Sequence, residues 1–461
     1  MAKNGLRFYS TIIFVKILKK IMRIMKRNAT NFPGVVALKL CPDILKQLEK
    51  PKTIIAITGT NGKTTVSNMI VDALQYNGYD FINNRFGGNI ETGIISTLLD
   101  KSSLSGKTKY DIAVLEVDER SSNRIYPYVK PDFLVCTNLS RDSFKRNAHT
   151  EFIADILNKY IPKETKLILN GDDLISSHIA PENDRVCFGV RWEDGEPSVA
   201  DNIIKDIVMC PVCDSPLEYD FVRYNHIGRA KCVKCDFGTL PIDYDMVKRD
   251  YLNKSLQIKT PDGNEEYRLV GDNITDSYNM AAAIALLREF GLDKEQVNNA
   301  FESVKIVETR FNSEEINGKQ LIINLAKGQN PIACSRACDF VRTNDGKKAV
   351  IMILEDFYDA KRSTENIAWI HETDFEFLNQ DDISQIIVGG KRSSDYMVRL
   401  LMAGIPKDKI KCCASEIDTP SFLDVGSVDK VFILYDLFNV TSLKRIKEQV
   451  KNKLMSGGEI S

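Results

Sequence analysis

Ala56-Ile57-Thr58-Gly59-Thr60-Asn61-Gly62-Lys63-Thr64-Thr65 is the stretch on which the reading of this chain turns. A β-prone run, Thr53 to Ile57, leads into it, and Val66, Met69, Ile70, Ala73 and Leu74 follow at helical spacing. The order is strand, glycine turn, helix. Glycines let a backbone turn tightly enough to aim its N–H groups at phosphate oxygens, and the helix N-terminus adds favourable partial charge. Gly59, Thr60, Asn61, Gly62, Lys63, Thr64 and Thr65 are thus candidate ATP-binding residues. Lys63 would reach the β/γ-phosphates and the Thr64 hydroxyl would hold Mg²⁺. Ile57 stands where the common G-x-x-x-x-G-K-[ST] pattern has its first glycine.

A chain of 461 residues has room for two or three domains. Hydrophobic content of 43% and charged content of 27% are those of an ordinary globular protein, and a net charge of −1 gives no general pull toward nucleic acid. Function must come from local sites. Eleven cysteines, an odd number in a long chain, fit a reducing cytoplasm better than a disulfide framework. Cys41, Cys136, Cys187, Cys334 and Cys338 sit among apolar residues and read as small core hydrophobes.

Cys210-Pro211-Val212-Cys213 and Cys232-Val233-Lys234-Cys235 form two C-x-x-C knuckles. Together they can place four thiolates tetrahedrally around Zn²⁺ in a closed structural site. His226 lies between them and reads as a packed or exposed histidine, because four sulfurs already fill the shell. Residues 6–27 are both basic and apolar, with Phe14, Ile17, Leu18, Ile21 and Ile24 on one helical face and Lys16, Lys19, Lys20, Arg23 and Arg27 on the other. The apolar runs are too short to span a bilayer, and there is no secretory h-region or cleavage site. Two readings stand: a helix laid on the body of the protein, or a peripheral contact with anionic lipid.

The T-G-T-N-G-K-T-T form resembles the Mur ligases, which build cell-wall peptides by ATP-dependent amide formation. Within them the chain is most similar to MurT proteins. Its basic helix is followed by F-P-G-x-x-A-x-K-x-x-P-D-I-L, and the cysteine ribbon carries Leu217 to Asp220 and His226 to Gly228. Further matches are Asn83 to Gly93 beside the nucleotide, Thr137-Asn138-Leu139-Ser140-Arg141-Asp142, Asn170-Gly171-Asp172-Asp173, Thr309-Arg310-Phe311 and Ile323 to Lys327. The resemblance implies that Glu116 binds magnesium, Asn279 reads adenine and Arg310 reaches the transferred phosphate. By their composition alone, Asp118 and Glu119 read as solvated acids and Asn279 as a helix cap.

The implied fold is α/β: a Mur-ligase-like P-loop domain with a parallel-rich sheet, an inserted zinc ribbon, and a smaller Rossmann-like α/β domain. Expected boundaries are a helical region at 1–50, an ATP-binding domain at 51–305 with the ribbon at about 205–245, and a C-terminal domain at 306–461. In the last, strands are expected at Ala349 to Leu354, Gln385 to Val388 and Lys430 to Leu434.

The implied reaction is transfer of the ATP γ-phosphate to a precursor carboxylate, then attack by an amine, in the cytoplasm or at the inner membrane surface. MurT proteins amidate the D-glutamate of a lipid-linked precursor with ammonia from a GatD glutaminase. Near Trp369 they carry an aspartate implied to complete the glutaminase triad, and this chain has Asn366 there. Asparagine can orient a histidine but offers no charge to an imidazolium; Asp359 could substitute if its loop folds back. The alternatives are a stand-alone ligase adding an amino acid, as in pseudomurein synthesis, and a zinc-ribbon ATP-binding scaffold without catalysis. Lys145, Lys159 and Lys163 sit in no motif for the carbamylated lysine of amino-acid-adding Mur ligases, which favours ammonia.

Overall fold

The computed structural model describes residues 5–25, 30–85, 88–141, 149–303, 311–354, 367–436 and 439–457. They fall into two compact units. One is drawn from Met1–Ser140, His149–Ala200 and Asp206–Ile306, the other from Arg141–Ala148, Asp201–Lys205 and Val307–Ser461.

The first unit is built on β1 (Thr53–Thr58), β2 (Phe81–Asn83), β3 (Ile112–Glu116), β4 (Phe133–Cys136), β5 (Lys166–Asn170) and β6 (Arg185–Val190). A hairpin of β7 (Leu217–Tyr224) and β8 (Ile227–Cys232) stands apart as its own two-stranded sheet. Then β9 (Tyr244–Asp250), β10 (Ser255–Thr260) and β11 (Gly263–Arg268) return to the main sheet. The order is β11-β10-β9-β6-β5-β4-β1-β3-β2, parallel from β9 through β2 and antiparallel at the β9–β11 edge. Its central strands are apolar on both faces. Ile55 and Ile57 enter one core and Ile54 and Ala56 the other, as alternation across a doubly covered sheet requires. The helix Ile274–Phe290 is buried all round from Ser277 to Leu287, with Ala281, Ala282, Ala283 and Ala285 permitting close approach.

The N-terminal helix Leu6–Ile24 lies on this unit, with the cation-bearing side turned toward it. Phe8, Thr11, Ile12 and Val15 are buried, whereas Phe14, Ile17, Ile21 and Ile24 face outward. Lys16 and Lys19 donate to the carbonyls of Ser102 and Ser96, and Arg23 pairs with Asp100 at 2.9 Å. Backbone carbonyls and one carboxylate on the body thus fix the cations inward, a preference that helical periodicity alone does not contain. The next helix, Phe32–Leu40, follows Asn31 at its N-terminus and has Pro33 in its first turn, where its missing N–H costs nothing.

The second unit contains β12 (Phe311–Ile316), β13 (Lys319–Leu325), β14 (Lys348–Ile353), β15 (Ile383–Gly389), β16 (Ile410–Cys413) and β17 (Lys430–Tyr435). They run β12-β13-β17-β14-β15-β16, parallel except for the β12–β13 hairpin. Val350 and Met352 belong to the core on one face, Ala349, Ile351 and Ile353 to that on the other.

Candidate active site

β1 has β3 on one side and β4 on the other, so the chain changes direction across the sheet at β1. Ligands in such sheets bind beyond the carboxyl ends of the strands at this switch point. The loop Gly59–Gly62 leaves β1 there and feeds the helix Lys63–Tyr76. Gly59 and Gly62 have φ of +120° and +89°. A Cβ on Gly59 would come within 2.2 Å of Thr137 Oγ1, and one on Gly62 within 2.5 Å of Asn279 Oδ1. Both positions therefore require glycine for conformation and for space. The second contact also brings Asn279, near the start of its buried helix, against the loop.

The segment after β4 clamps that loop. Thr60 N–H donates to the Asn138 carbonyl at 2.8 Å and Asn61 N–H to Asn138 Oδ1 at 3.2 Å. In return Asn138 Nδ2 and Thr137 Oγ1 donate to the Asn61 carbonyl at 2.9 and 2.6 Å. The Thr60 hydroxyl donates to the Ser140 carbonyl and accepts from the Ser140 N–H, each at 3.0 Å. Asn61 Nδ2 is left buried without a partner. A buried donor at the mouth of a glycine loop fits an anionic oxygen.

Lys63 Nζ donates to Glu119 Oε1 at 2.8 Å and to the Gly59 carbonyl. Glu119 is buried, which corrects its reading as a solvated acid: Asp118 caps a short 3₁₀ turn over Glu119–Ser121, and the turn carries Glu119 inward. Burial pushes the Glu119 carboxyl above the usual range despite Lys63 beside it. Burial is the largest influence on Lys63 and lowers it, but the Glu119 charge and hydrogen bond together with the Glu116 and Asp118 charges outweigh it, and the net shift is upward.

Glu116, the last residue of β3, accepts from the exposed Thr64 hydroxyl at 2.9 Å and from Asn89 Nδ2 at 3.1 Å. Asn84 brackets its backbone, accepting from Glu116 N–H and donating to its carbonyl, both at 2.8 Å. A hydroxyl and a carboxylate so placed are the oxygen donors a magnesium ion takes from protein when phosphates supply the rest. Thr65 is half-buried in the first helical turn. Arg141 belongs to the second unit and pairs with Glu372 at 2.8 Å. Arg310, Asn366, Asp142, Lys145, Thr309 and Asp359 lie outside the described residues.

The four cysteine sulfurs of the ribbon lie within 4.8 Å of one another, the one such metal-ligating group among the described residues. Cys213 is 3.4 Å from Cys232 and 3.5 Å from Cys235, and Cys210 is 3.5 Å from Cys235. A tetrahedron with metal–sulfur bonds of about 2.3 Å has edges of about 3.8 Å, so the set fits a tetrahedral metal. Backbone N–H groups of Val212, Lys234 and Cys235 point at the sulfurs, as needed to neutralise thiolate charge.

Asp172 and Asp173, fully buried after β5, tie the ribbon to the loop. Asp172 accepts from Arg229 of β8 and from the Tyr278 hydroxyl, both at 2.8 Å. Asp173 Oδ1 lies 3.1 Å from His226 Nε2, and its Oδ2 accepts from Leu139 N–H at 2.7 Å. His226, in the β7–β8 turn, is a packed ionic anchor and not a sulfur-site ligand. Sequence reasoning saw this acidic pair only as part of a sheet pattern.

A phosphate loop at the switch point, with a lysine, a carboxylate and an asparagine converging on it, frames a nucleotide site, and the family matches give the class, an ATP-dependent ligase of the Mur type. A model of the Mur ligase middle domain matches residues 57–193, and one of the MurT ligase C-terminal domain matches 327–435. The MurT subunit of lipid II isoglutaminyl synthase from Staphylococcus aureus is 31% identical over 98% of this chain and 100% of its own length. Its Streptococcus pneumoniae counterpart is 32% identical over 83% and 84%. The chain belongs to the MurT family of Mur ligases, enzymes that form carbon–nitrogen bonds. Among solved structures, a pseudomurein peptide ligase from Methanothermus fervidus shares the fold at TM-score 0.64 and 19% identity, over 89% of this chain and 81% of that one. So does MurF from Thermotoga maritima with ADP, at 0.56 and 18%, over 92% and 84%.

Proposed function

We propose that this chain amidates a carboxylate of a lipid-linked cell-wall precursor, the D-glutamate of its peptide, at the expense of ATP. The carrying observation is the similarity to the Staphylococcus aureus subunit along effectively both whole chains. That relative's name gives lipid II as its substrate and glutamine hydrolysis as part of its activity. A glutaminase of the GatD kind would supply the ammonia here, on the cytoplasmic side of the membrane that holds the precursor.

In the first step a carboxylate oxygen attacks the γ-phosphorus and ADP leaves, giving an acyl phosphate. Ammonia then attacks the carbonyl carbon, inorganic phosphate departs with the bonding pair, and the amine loses a proton. Lys63 and Arg310 stabilise charge on the transferred phosphoryl group. Thr64 and Glu116 would hold Mg²⁺, which would supply positive charge to the phosphates during transfer. Asn279 reads the base, while Zn²⁺ in the Cys210, Cys213, Cys232 and Cys235 site is structural. The domain boundaries we assign are 1–50, 51–305 with the ribbon at about 205–245, and 306–461.

A second reading, a stand-alone ligase adding an amino acid, rests on Asn366 in place of the triad aspartate. Phosphate release by the purified chain with lipid-linked precursor separates the two. Turnover with ammonium chloride supports amidation; turnover with one amino acid and none with ammonium overturns it.

A further inference from the structure

The helix Leu6–Ile24 is apolar on two opposite faces, and among the described residues only one of them is packed. Its inner face gives Phe8, Ile12 and Val15 to the core shared with Ala37, Ile44 and Leu45. Its outer face sets Leu6, Ile13, Phe14, Ile17, Ile21 and Ile24 in one stripe, with exposures from 44% at Ile13 to 87% at Leu6. At 100° per residue, Leu6, Ile13, Ile17 and Ile24 fall within about 40° of one another along a helix about 28 Å long. A row of this kind on a surface marks a contact site.

Charge identifies what it contacts. The first 42 residues contain nine Lys and Arg and no Asp or Glu, in a chain whose formal net charge is −1. Lys20 is exposed within the stripe's own sector, whereas Arg23, on the flank toward the body, is held by Asp100. Cations flanking an apolar row can extend to phosphates while the row enters the acyl region. A second copy of the chain fits poorly, because a two-fold contact would set this basic segment against itself. No helix among the described residues is long and apolar enough to cross a membrane, so the fitting geometry is a helix lying flat.

We infer that the outer face of Leu6–Ile24 docks on an anionic phospholipid surface, holding the first unit against the membrane. The inference rests on this helix alone and goes beyond the amidation reading. If the precursor is lipid-linked, the same contact brings the enzyme to the surface that carries it.

The test is sedimentation of the full chain, without substrate, with vesicles of phosphatidylglycerol and phosphatidylcholine or of phosphatidylcholine alone. We expect the bound fraction to rise with phosphatidylglycerol and to fall as salt rises. The double variant Ile13→Asp/Ile17→Asp should partition at least tenfold more weakly, with an unchanged thermal unfolding midpoint because both side chains are exposed. Lys20→Glu should show a smaller loss in the same direction. Equal binding by wild type and double variant would overturn the proposal, as would wild type remaining in the supernatant with both vesicles. A wild-type dimer in vesicle-free sedimentation velocity that the double variant abolishes would also overturn it, assigning the face to a second copy. Failure here leaves amidation in detergent untouched, so the two readings fail separately.

Discussion

The Lys63 ammonium sits 2.8 Å from the Glu119 carboxylate, with side chains only 13% and 3% exposed. Two opposite charges so buried hold each other in place, and removing one strands the other. Glu119 thus keeps the phosphate-loop lysine charged and pre-aimed before nucleotide arrives. Lys63→Met should reduce ATP-dependent phosphate release at least a thousandfold and destabilise the fold by about 3 kcal/mol. Glu119→Gln should lower kcat/KM for ATP about tenfold. The double variant Lys63→Met/Glu119→Gln should regain most of the stability and none of the activity. Urea unfolding beside a phosphate-release assay checks all three, and a double variant no more stable than Lys63→Met would refute the pairing argument.

Glu116 joins the site through Thr64, at 2.9 Å, and is held by Asn84 and Asn89. If this is the magnesium position, Glu116→Gln keeps the shape and loses the charge. The Mg²⁺ concentration for half-maximal rate should then rise about tenfold or more, equivalent to about 1.4 kcal/mol. Thr64→Ser should retain near-normal magnesium dependence and Thr64→Val should lose it. A magnesium titration of each variant at saturating ATP decides the matter, and an unmoved midpoint in Glu116→Gln would place the ion elsewhere.

Local pattern explains what could be read in advance. Gly59, Gly62, Lys63 and Thr64 are consecutive or nearly so, and the two C-x-x-C knuckles carry their own geometry, so neither needs the tertiary fold to be recognised. Glu116 and Asn279 became candidates only through resemblance, since one carboxylate at a strand end or one asparagine at a helix start has many uses. The clamp of Thr60 and Asn61 by Thr137 to Ser140 joins residues about 77 apart, and only strand order puts them side by side. Glu119 was misread because an acidic run is ordinarily solvated, and the single turn that buries it depends on Asp118 as cap. Which face of the N-terminal helix packs inward is set by Ser96, Asp100 and Ser102, partners of its cations more than 70 residues away, and helical periodicity alone does not contain it.

Removing the ribbon metal should be felt at the phosphate loop. From His226 the contacts run to Asp173, on to Leu139 N–H, and through Asn138 to Asn61. Cys235→Ser, or chelation of wild type, should release one equivalent of zinc and raise KM for ATP several-fold more than it lowers kcat. His226→Gln should give the same KM effect with zinc still bound. Metal analysis and steady-state kinetics on the same preparations test this, and an unchanged KM in His226→Gln would confine the ribbon to stability alone.

His226 also sets a pH signature. Burial alone would pull its pKa down, but the Asp173 and then Asp206 carboxylates, at 3.1 and 3.5 Å, outweigh it and raise it to about 9. An unfolded histidine titrates near about 6.5. Because the folded value is the higher one, the stabilisation is fully present below about pH 6.5, weakens as pH rises, and is gone above about 9. Its full size is on the order of 3 kcal/mol. Lys50 works in the opposite sense: burial lowers it to about 8, so its contribution grows as pH rises above that value. The wild-type profile alone therefore mixes two slopes, and the informative quantity is its difference from His226→Gln. Measured by urea unfolding with zinc saturating, that difference should be largest near pH 6 and should shrink toward zero by pH 9.5. A difference constant across this range would mean that His226 is neutral in the folded protein and that Asp173 draws its stabilisation from the Leu139, Ile175 and Ser176 N–H groups instead.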